Sequence, residues 1–250
     1  MLKFRREKHL RQPVYWGLVP AAGVGTRMGT ELPKQYLRLC GLTILEHSLM
    51  RLLHMPCIEG VMVVLNPEDQ AWSELPVFND ARVRIVQGGA ERSESVLNGL
   101  RELKTRLHPD DWVLVHDAAR PCVRPEDLEN LVNVLTEHAV GGILGAPVRD
   151  TIKSVASTGK EIQATVDRSS LWRAFTPQMF RFQLLLDALE QALQQGLSVT
   201  DESSAVEAAG HTPLMVEGRS DNIKVTTPED LLLAETVVQE IEINHGGGFR

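Results

Sequence analysis

The feature that most constrains the fold is a short apolar run, residues 14–19, followed directly by a glycine-rich loop. The apolar run is typical of the buried first strand of an α/β sheet. The loop extends to Lys34 and places Arg27 among closely spaced glycines. Glycines let backbone N–H groups converge on an anion because no Cβ intervenes, and the two cations add full positive charge. The sequence therefore predicts a phosphate-binding loop at the end of the first strand.

Two common nucleotide-binding patterns do not fit this loop. Met28 stands where the dinucleotide-binding pattern GxGxxG requires its third glycine, and it also occupies the position of the second glycine of a Walker A loop. The simplest alternative is an ordinary glycine-rich turn. The presence of Arg27 and Lys34 favours a phosphate-binding loop over that alternative.

The length, charge and cysteine content of the chain narrow its class. A chain of 250 residues suffices for one α/β domain, and a net charge of −7 argues against a nucleic-acid partner. The three cysteines show no CxxC spacing, which argues against a disulfide framework or a structural zinc site and is typical of a reducing compartment. No uninterrupted apolar run approaches the length of a membrane span. We therefore expect a cytoplasmic protein that binds neither nucleic acid nor a membrane.

Both ends of the chain are expected to lie outside the folded domain. Residues 1–13 are basic but lack the apolar segment of a secretory signal, so they predict a flexible extension. Residues 244–250 predict a frayed end. The folded domain is accordingly expected at residues 14–243.

Strand and helix patterns alternate along that domain. Further strands are predicted at 61–66, 82–86, 112–116, 141–148 and 213–217. Helices are predicted after a capping box at Thr43, from Pro67, from a start within 87–95, at 125–138, at 182–195, after Thr200 and from 228. The apolar faces expected to reach the core are Leu45, Leu49, Leu52 and Leu53; Leu128, Leu131, Val132 and Leu135; and Phe182, Leu185, Leu186, Leu189 and Leu193. Residues 149–168 predict a projecting hairpin around Gly159. The sequence therefore predicts a single-domain, Rossmann-like α/β fold with a mainly parallel sheet flanked by helices and a β-arm.

Two predicted strands end in residues suited to ligand binding. Gly88 and Gly89 follow one strand, and Asp117 follows another. Ligands of open α/β sheets lie outside the carboxyl ends of the strands, and a carboxylate there suits Mg²⁺ when phosphates supply the remaining ligands. The alternatives are a plain β–α turn for the glycines and a turn-capping role for Asp117. His116 is expected to be a packed residue at the strand end rather than a general base.

Four stretches of the sequence resemble one enzyme family. AAGVGTRMGTELPKQY resembles the nucleotide-binding loop of the sugar-nucleotidyltransferases, and within that superfamily the chain is most similar to the 2-C-methyl-D-erythritol 4-phosphate cytidylyltransferases. The turn at 88–96 matches the family pattern GGxxRxxSV, and HDAARP and NIKVTTPEDL match two further blocks. Ala90 departs from the pattern, because many members have Asp there. The resemblance extends from Trp16 to Leu233.

This resemblance implies an activity, a cofactor and a set of site residues. The expected reaction joins CTP and 2-C-methyl-D-erythritol 4-phosphate, in the non-mevalonate isoprenoid pathway, with Mg²⁺ bound by Asp117. The residues expected at the nucleotide are Ala21, Ala22, Gly23, Gly25, Gly89 and Ser95. The residues expected at the sugar-alcohol phosphate are Asp117, Arg120, Thr151, Arg168, Thr176 and Thr200. The resemblance also implies a homodimer joined through the β-arm, with arm residues reaching the partner's site.

The expected chemistry needs cations rather than a base. A phosphate monoester is already nucleophilic at neutral pH, so catalysis is mostly positioning and charge stabilisation. Arg27 and Lys34 are assigned to the triphosphate, and Lys224 to the phosphoryl group in transfer. Three alternatives remain open from sequence: a ribitol 5-phosphate cytidylyltransferase, a catalytically silent nucleotide-binding regulator and an NAD-dependent oxidoreductase. The missing third glycine disfavours the oxidoreductase.

Overall fold

The computed structural model describes residues 11–23 and 33–244. The strands are β1 (Tyr15–Pro20), β2 (Arg38–Leu39), β3 (Leu42–Thr43), β4 (Ile58–Leu65), β5 (Val83–Gln87), β6 (Trp112–Val115), β7 (Gly141–Pro147), β8 (Ile152–Val155), β9 (Ile162–Val166), β10 (Trp172–Arg181) and β11 (Leu214–Glu217). The helices are α1 (Ile44–Leu53), α2 (Arg92–Leu103), α3 (Pro125–Leu135), α4 (Phe182–Gln194), α5 (Glu202–Ala208) and α6 (Pro228–Asn244).

Seven strands form one sheet in the order β11-β7-β10-β6-β1-β4-β5. β1 pairs in parallel with β4 and β6, β4 pairs in parallel with β5, and β11 pairs in parallel with β7. Only β10 runs the other way, antiparallel to both β6 and β7. The predicted mainly parallel α/β sheet is therefore confirmed.

Helices cover both faces of the sheet. α1 and α3 contribute their leucines to the core on one face, and α2, α4 and α5 cover the other face. A capping box opens α1, with the Thr43 hydroxyl accepting from the Glu46 N–H and the Glu46 carboxylate accepting from the Thr43 N–H. All the predicted leucines of α1 are buried. The prediction for α4 was wrong at Leu193, which is 50% exposed because it lies in the last turn, beyond the edge of the core.

The sequence analysis predicted no strand at β10, which contains Pro177. A proline cannot donate a ladder hydrogen bond and is therefore unusual within a central strand. The structure places Pro177 where the pairing of β10 with β7 is interrupted, between Ala174 and Gln178. The interruption accommodates the missing N–H, and regular pairing resumes from Gln178.

The prediction of a short helix starting at Pro67 was also wrong. Side chains there satisfy local N–H groups: the Asn66 amide oxygen accepts from the Glu68 N–H at 2.9 Å, and the Asp69 carboxylate accepts from the Ala71 N–H at 3.0 Å. Such short side-chain bonds compete with helix formation. The segment forms turns, followed by 3₁₀ helices at Ala71–Glu74 and Pro76–Asn79. Helix α3 likewise ends at Leu135 rather than at residue 138.

The predicted hairpin is present as a separate two-stranded sheet. β8 and β9 pair antiparallel and do not join the main sheet. Their residues are exposed or half-buried, and Val155 and Ile162 are among the exposed large apolar side chains. An isolated two-stranded sheet is marginally stable in water. This arm therefore presents an apolar surface that the described residues of the chain do not cover.

Within the predicted extension at 1–13, residue Arg11 is anchored. Its guanidinium makes two hydrogen bonds to the buried Asp111 carboxylate, at 2.6 and 2.9 Å. Residues 1–10 and 245–250 lie outside the described residues. In the part of the chain that the structure describes, no helix is long and apolar enough to cross a membrane.

Candidate active site

The carboxyl ends of β1, β5 and β6 meet around a cleft of about 440 Å³. Ligands of open α/β sheets bind at the edge where the strands have their carboxyl ends, and the sequence predicted a binding site at that edge. Eight of the predicted site residues line the cleft: Ala21, Ala22, Gly23, Lys34, Gly89, Ser95, Asp117 and Lys224. Residues from both ends of the chain are thus brought to one place.

A second cavity of about 200 Å³ adjoins the first. The predicted residues that line it are Asp117, Arg120, Thr176, Thr200 and Lys224. The two cavities share Arg92, Asp117 and Lys224. A phosphorus atom at this junction would have one bound molecule in the cavity on each side of it, which is the arrangement that a group transfer needs.

Among the described residues, two of the predicted site residues line neither cavity. Thr151 and Arg168 lie at the base of the arm, where the Arg168 guanidinium donates to the Arg149 carbonyl, and neither residue lines either cavity. Gly25 and Arg27 lie outside the described residues.

Lys34 joins the first loop to the end of the chain. It begins a 3₁₀ turn, Lys34–Tyr36, and its Nζ donates to the Val225 carbonyl at 3.2 Å. The buried Gln35 amide donates to the Ala21 carbonyl at 3.0 Å. The first loop and the segment that carries Lys224 are therefore held together across the cleft.

The glycine turn after β5 is shaped by its own side chains. The Ser95 hydroxyl accepts from the Gly89 N–H at 3.2 Å and donates to the Glu91 carbonyl at 3.0 Å. A Cβ on Gly88 would lie 2.5 Å from the Ala22 Cβ, so only glycine lets the two loops approach this closely. Ser95 therefore builds the wall of the cleft, and its predicted contact with cytidine remains a prediction.

Asp117 is the electrostatic centre of the site. The Lys224 ammonium lies 2.8 Å from its Oδ2, Arg92 lies 3.1 Å from its Oδ1, and Arg120 lies 3.5 Å from its Oδ2. Burial alone would raise the pKa of Asp117, but Arg92, Lys224 and Arg120 together hold it well below its ordinary range. The carboxylate is therefore ionised throughout the neutral pH range.

Arg92 was not predicted as a site residue. Besides Asp117, it holds the buried Glu202 carboxylate with two hydrogen bonds of 2.7 and 3.1 Å. The two carboxylates raise the pKa of Arg92 further above its ordinary value, against the opposing effect of burial. Arg92 lies in the GGxxR motif and Glu202 lies in the polar start of α5, so the sequence marks each residue as a candidate. Nothing in the sequence indicates that these two residues, 110 positions apart, pair with each other.

His116 is packed at the end of β6, as expected. One ring nitrogen, Nε2, lies 3.0 Å from the Arg120 carbonyl, and the other, Nδ1, lies 3.0 Å from the Thr176 hydroxyl. That hydroxyl also accepts from the Asp117 N–H at 3.0 Å. Burial lowers the pKa of His116 to about 4, so the ring is neutral at pH 7. A neutral ring protonated on Nε2 satisfies all three bonds, with Thr176 donating to Nδ1.

The donor set of the site suits a cation that shares its ligands with phosphate. Within residues 11–23 and 33–244, no three His, Cys, Asp or Glu side chains cluster as a protein-only metal site. Asp117 offers carboxylate oxygens at the cavity junction. Mg²⁺ binds through one or two carboxylates when substrate phosphates and water complete its octahedron. The residues therefore fit a substrate-bound cation of this type.

Comparison with known proteins gives one family throughout. A family model described as 2-C-methyl-D-erythritol 4-phosphate cytidylyltransferase (IspD) matches residues 16–240. The chain is 52% identical over 226 residues to the protein of that name from Hahella chejuensis. The alignment covers 90% of this chain and 93% of the relative. It is 54% identical over 220 residues to the one from Pseudomonas savastanoi pv. phaseolicola, with coverage of 88% and 93%.

Solved structures give the same result. A crystal structure of 4-diphosphocytidyl-2C-methyl-D-erythritol synthase superposes with a TM-score of 0.79 at 38% identity, covering 91% of this chain and 99% of that one. The cytidylyltransferase of Francisella tularensis superposes with a TM-score of 0.78 at 34% identity, with coverage of 90% and 99%.

Proposed function

The chain belongs to the 2-C-methyl-D-erythritol 4-phosphate cytidylyltransferase family, and from this membership we propose how its two cavities divide the substrates. The larger cavity, bounded by the first loop and the glycine turn, holds CTP. The smaller cavity, bounded by Arg120 and Thr176, holds the sugar-alcohol phosphate. The observation that carries this proposal is that both cavities open onto the same Asp117 and Lys224.

The protein is a cytidylyltransferase of isoprenoid synthesis. It joins CTP and 2-C-methyl-D-erythritol 4-phosphate to give 4-diphosphocytidyl-2-C-methyl-D-erythritol and diphosphate. An oxygen of the phosphate monoester attacks the α-phosphorus of CTP, and the bond to the β-phosphate oxygen breaks. No proton has to be removed from the attacking oxygen, so no general base is needed. The engagement of both ring nitrogens of neutral His116 is consistent with this chemistry.

The cations of the junction are assigned to successive parts of the transfer. Lys34, on the CTP side, neutralises the triphosphate and the departing diphosphate. Lys224 lies at the junction and follows the negative charge that builds on the α-phosphoryl oxygens. Arg120 faces the smaller cavity and holds the attacking phosphate in line. Arg27 is assigned to the triphosphate with Lys34, from the sequence motif alone.

Nucleotidyl transfer of this class uses a divalent cation, and we assign Mg²⁺ here, held by Asp117 and the phosphates. When bound, the ion neutralises phosphate charge and orients the triphosphate. Lys224 must leave Asp117 Oδ2 to free that oxygen. Its side chain is 39% exposed, so it has room to move toward the phosphates. We place the enzyme in the cytoplasm, in keeping with its three unpaired cysteines.

The β-arm is proposed to join two copies of the chain. Its Val155 and Ile162 are exposed apolar side chains that a partner chain would bury. In such a dimer, Thr151 and Arg168 at the base of the arm would reach the phosphate in the partner's smaller cavity. Mixing Arg168→Ala protein with Lys224→Ala protein tests this. Each variant alone is expected to be nearly inactive, and refolding them together should restore activity by forming one site with both residues. No recovery, in a mixture shown by analytical ultracentrifugation to be dimeric, would contradict the shared site.

Diphosphate release from CTP tests the activity. It is measured with 2-C-methyl-D-erythritol 4-phosphate and, in parallel, with ribitol 5-phosphate; release is expected only with the first. Lys34→Ala should lower turnover by two orders of magnitude or more, as expected for loss of a charged group at the reacting phosphates, with the circular dichroism spectrum unchanged. Lys104→Ala, on the exposed end of α2, is the matched control. Equal diphosphate release with ribitol 5-phosphate would contradict selectivity for 2-C-methyl-D-erythritol 4-phosphate but not the proposed mechanism.

A further inference from the structure

Arg92 differs from the other two cations around Asp117 in its second partner, which is a buried carboxylate. It is the first residue of α2, and its guanidinium bridges Asp117 and Glu202. Glu202 is the first residue of α5 and is 1% exposed. Its two oxygens bind two different nitrogens of Arg92, at 2.7 and 3.1 Å. Such bidentate pairs fix the guanidinium plane as well as its position.

The contacts on Asp117 divide between its two oxygens. Oδ1 takes Arg92, and Oδ2 takes Lys224 and Arg120. Leaving Glu202 buried without Arg92 would cost several kcal/mol, as for other buried charges that lose a partner. Lys224 is 39% exposed and pairs with Asp117, so it can exchange Asp117 for a phosphate without leaving a buried carboxylate such as Glu202 unpaired. The structure therefore distinguishes a fixed oxygen from an exchangeable one.

We propose that Glu202 is a positioning residue for the transfer: by pinning Arg92 on Oδ1, it leaves Asp117 Oδ2 as the oxygen that passes from Lys224 to the substrate-bound cation. This inference rests on the proposed function, because it deepens the role of Asp117 there. Glu202 also limits the charge of the junction. Arg92, Arg120 and Lys224 face Asp117 and Glu202, and loss of Glu202 would add one uncompensated positive charge beside the cation.

The alternative is that the pair only joins α2 to α5. Arg92 lines both cavities, and its guanidinium also donates to Asp117. An ion pair that only joined two helices would need neither feature. The two roles predict different losses. A staple affects the thermal stability of the protein, whereas a positioning residue affects cation affinity and kcat in protein that is fully folded.

Glu202→Gln keeps the size of the side chain and removes its charge. We expect kcat to fall about 10- to 100-fold, the range typical of residues that orient metal ligands, while the KM for CTP changes by less than about threefold. The affinity for Mn²⁺ in the presence of CTP alone, measured by electron paramagnetic resonance, should weaken about tenfold. Glu202→Asp restores the charge and should recover most of the Mn²⁺ affinity. Glu207→Gln, on the exposed side of the same helix, is the matched control and should match the wild type.

A double-mutant cycle with Arg92→Gln isolates the route of the effect. If Glu202 acts through Arg92, adding Glu202→Gln to Arg92→Gln should lower kcat by less than about twofold further. Fully additive losses would overturn the proposal, as would a lower melting temperature with unchanged kcat and Mn²⁺ affinity. If Glu202→Gln does not fold, Arg92→Lys, which keeps the positive charge but loses the bidentate pairing with Glu202, carries the same measurements with the same losses expected. The Mn²⁺ measurement needs no turnover, so absence of diphosphate release in the wild type would count against the proposed function and leave this test intact.

Discussion

The neutral, buried His116 makes a specific prediction about stability in acid. Its ring accepts a hydrogen bond from the Thr176 hydroxyl and contacts the Arg120 carbonyl, both at 3.0 Å. The residue has no solvent exposure. A proton on Nδ1 would turn the acceptor of Thr176 into a donor. It would also place a positive charge next to Arg120, away from water. The folded state therefore resists protonation of His116, whereas the unfolded chain does not.

The size of the effect follows from the lowered pKa. His116 has a pKa of about 4 when folded and an ordinary value of 6.5, a difference of about 2.5 units. Each unit corresponds to about 1.4 kcal/mol, so this histidine removes up to about 3 kcal/mol of stability as the pH falls from 6.5 to 4. The sign follows because the unfolded state binds the proton first in that window. By pH 5, where most unfolded carboxylates are still ionised, the loss is about 2 kcal/mol.

Urea unfolding at pH 7.5 and pH 5.0, followed by tryptophan fluorescence, measures this loss. His116→Gln retains an amide donor that can reach the Arg120 carbonyl and removes the titrating ring. The variant starts less stable at pH 7.5, but its loss on going to pH 5.0 should be about 2 kcal/mol smaller than that of the wild type. His211→Gln, at an exposed position, is the control and should lose as much as the wild type. Equal losses in His116→Gln and wild type would refute the assignment of a neutral, proton-resistant ring.

Three further changes test the site. Lys224→Gln should lower kcat about 100- to 1,000-fold, the range for removal of one transition-state partner, with little change in melting temperature because Arg92 and Arg120 still hold Asp117; a loss below tenfold would contradict its role. Gly88→Ala should destabilise the protein by about 1–3 kcal/mol and raise the KM for CTP, since its Cβ would lie 2.5 Å from that of Ala22; Ala81→Ser, at an exposed position outside the cleft, is the comparison, and unchanged KM and stability in Gly88→Ala would show that the loops can separate. Removing divalent cations with EDTA should abolish diphosphate release, and Mg²⁺ should restore it, while the melting temperature stays within a few degrees because three cations already neutralise Asp117; a large fall in melting temperature would indicate a structural ion instead.

The sequence was informative wherever a local pattern carried the structure. The capping box at Thr43 and the leucine spacing of α1 predicted a helix that the structure contains, and apolar runs marked the parallel strands. Glycine turns and Asp117 at strand ends predicted which edge of the sheet would bind a ligand, because strand ends share an edge in a parallel sheet. The helix predicted to start at Pro67 failed for a local reason, but other failures depended on partners distant in sequence. Pro177 fits the sheet only because β7 and β10 separate beside it, and the role of Arg92 depends on Glu202.

The direction of β10 explains why the second cavity lies where it does. Because β10 is antiparallel to β6 and β7, its first half lies at the edge where those strands end. That edge receives Phe175 and Thr176 from the start of β10, and Thr176 is thereby placed to accept from the Asp117 N–H. A parallel strand would have brought its carboxyl end and a following loop instead. One reversed strand in the centre of the sheet thus builds the smaller cavity beside the nucleotide cleft, and Asp117 becomes the wall that both cavities share.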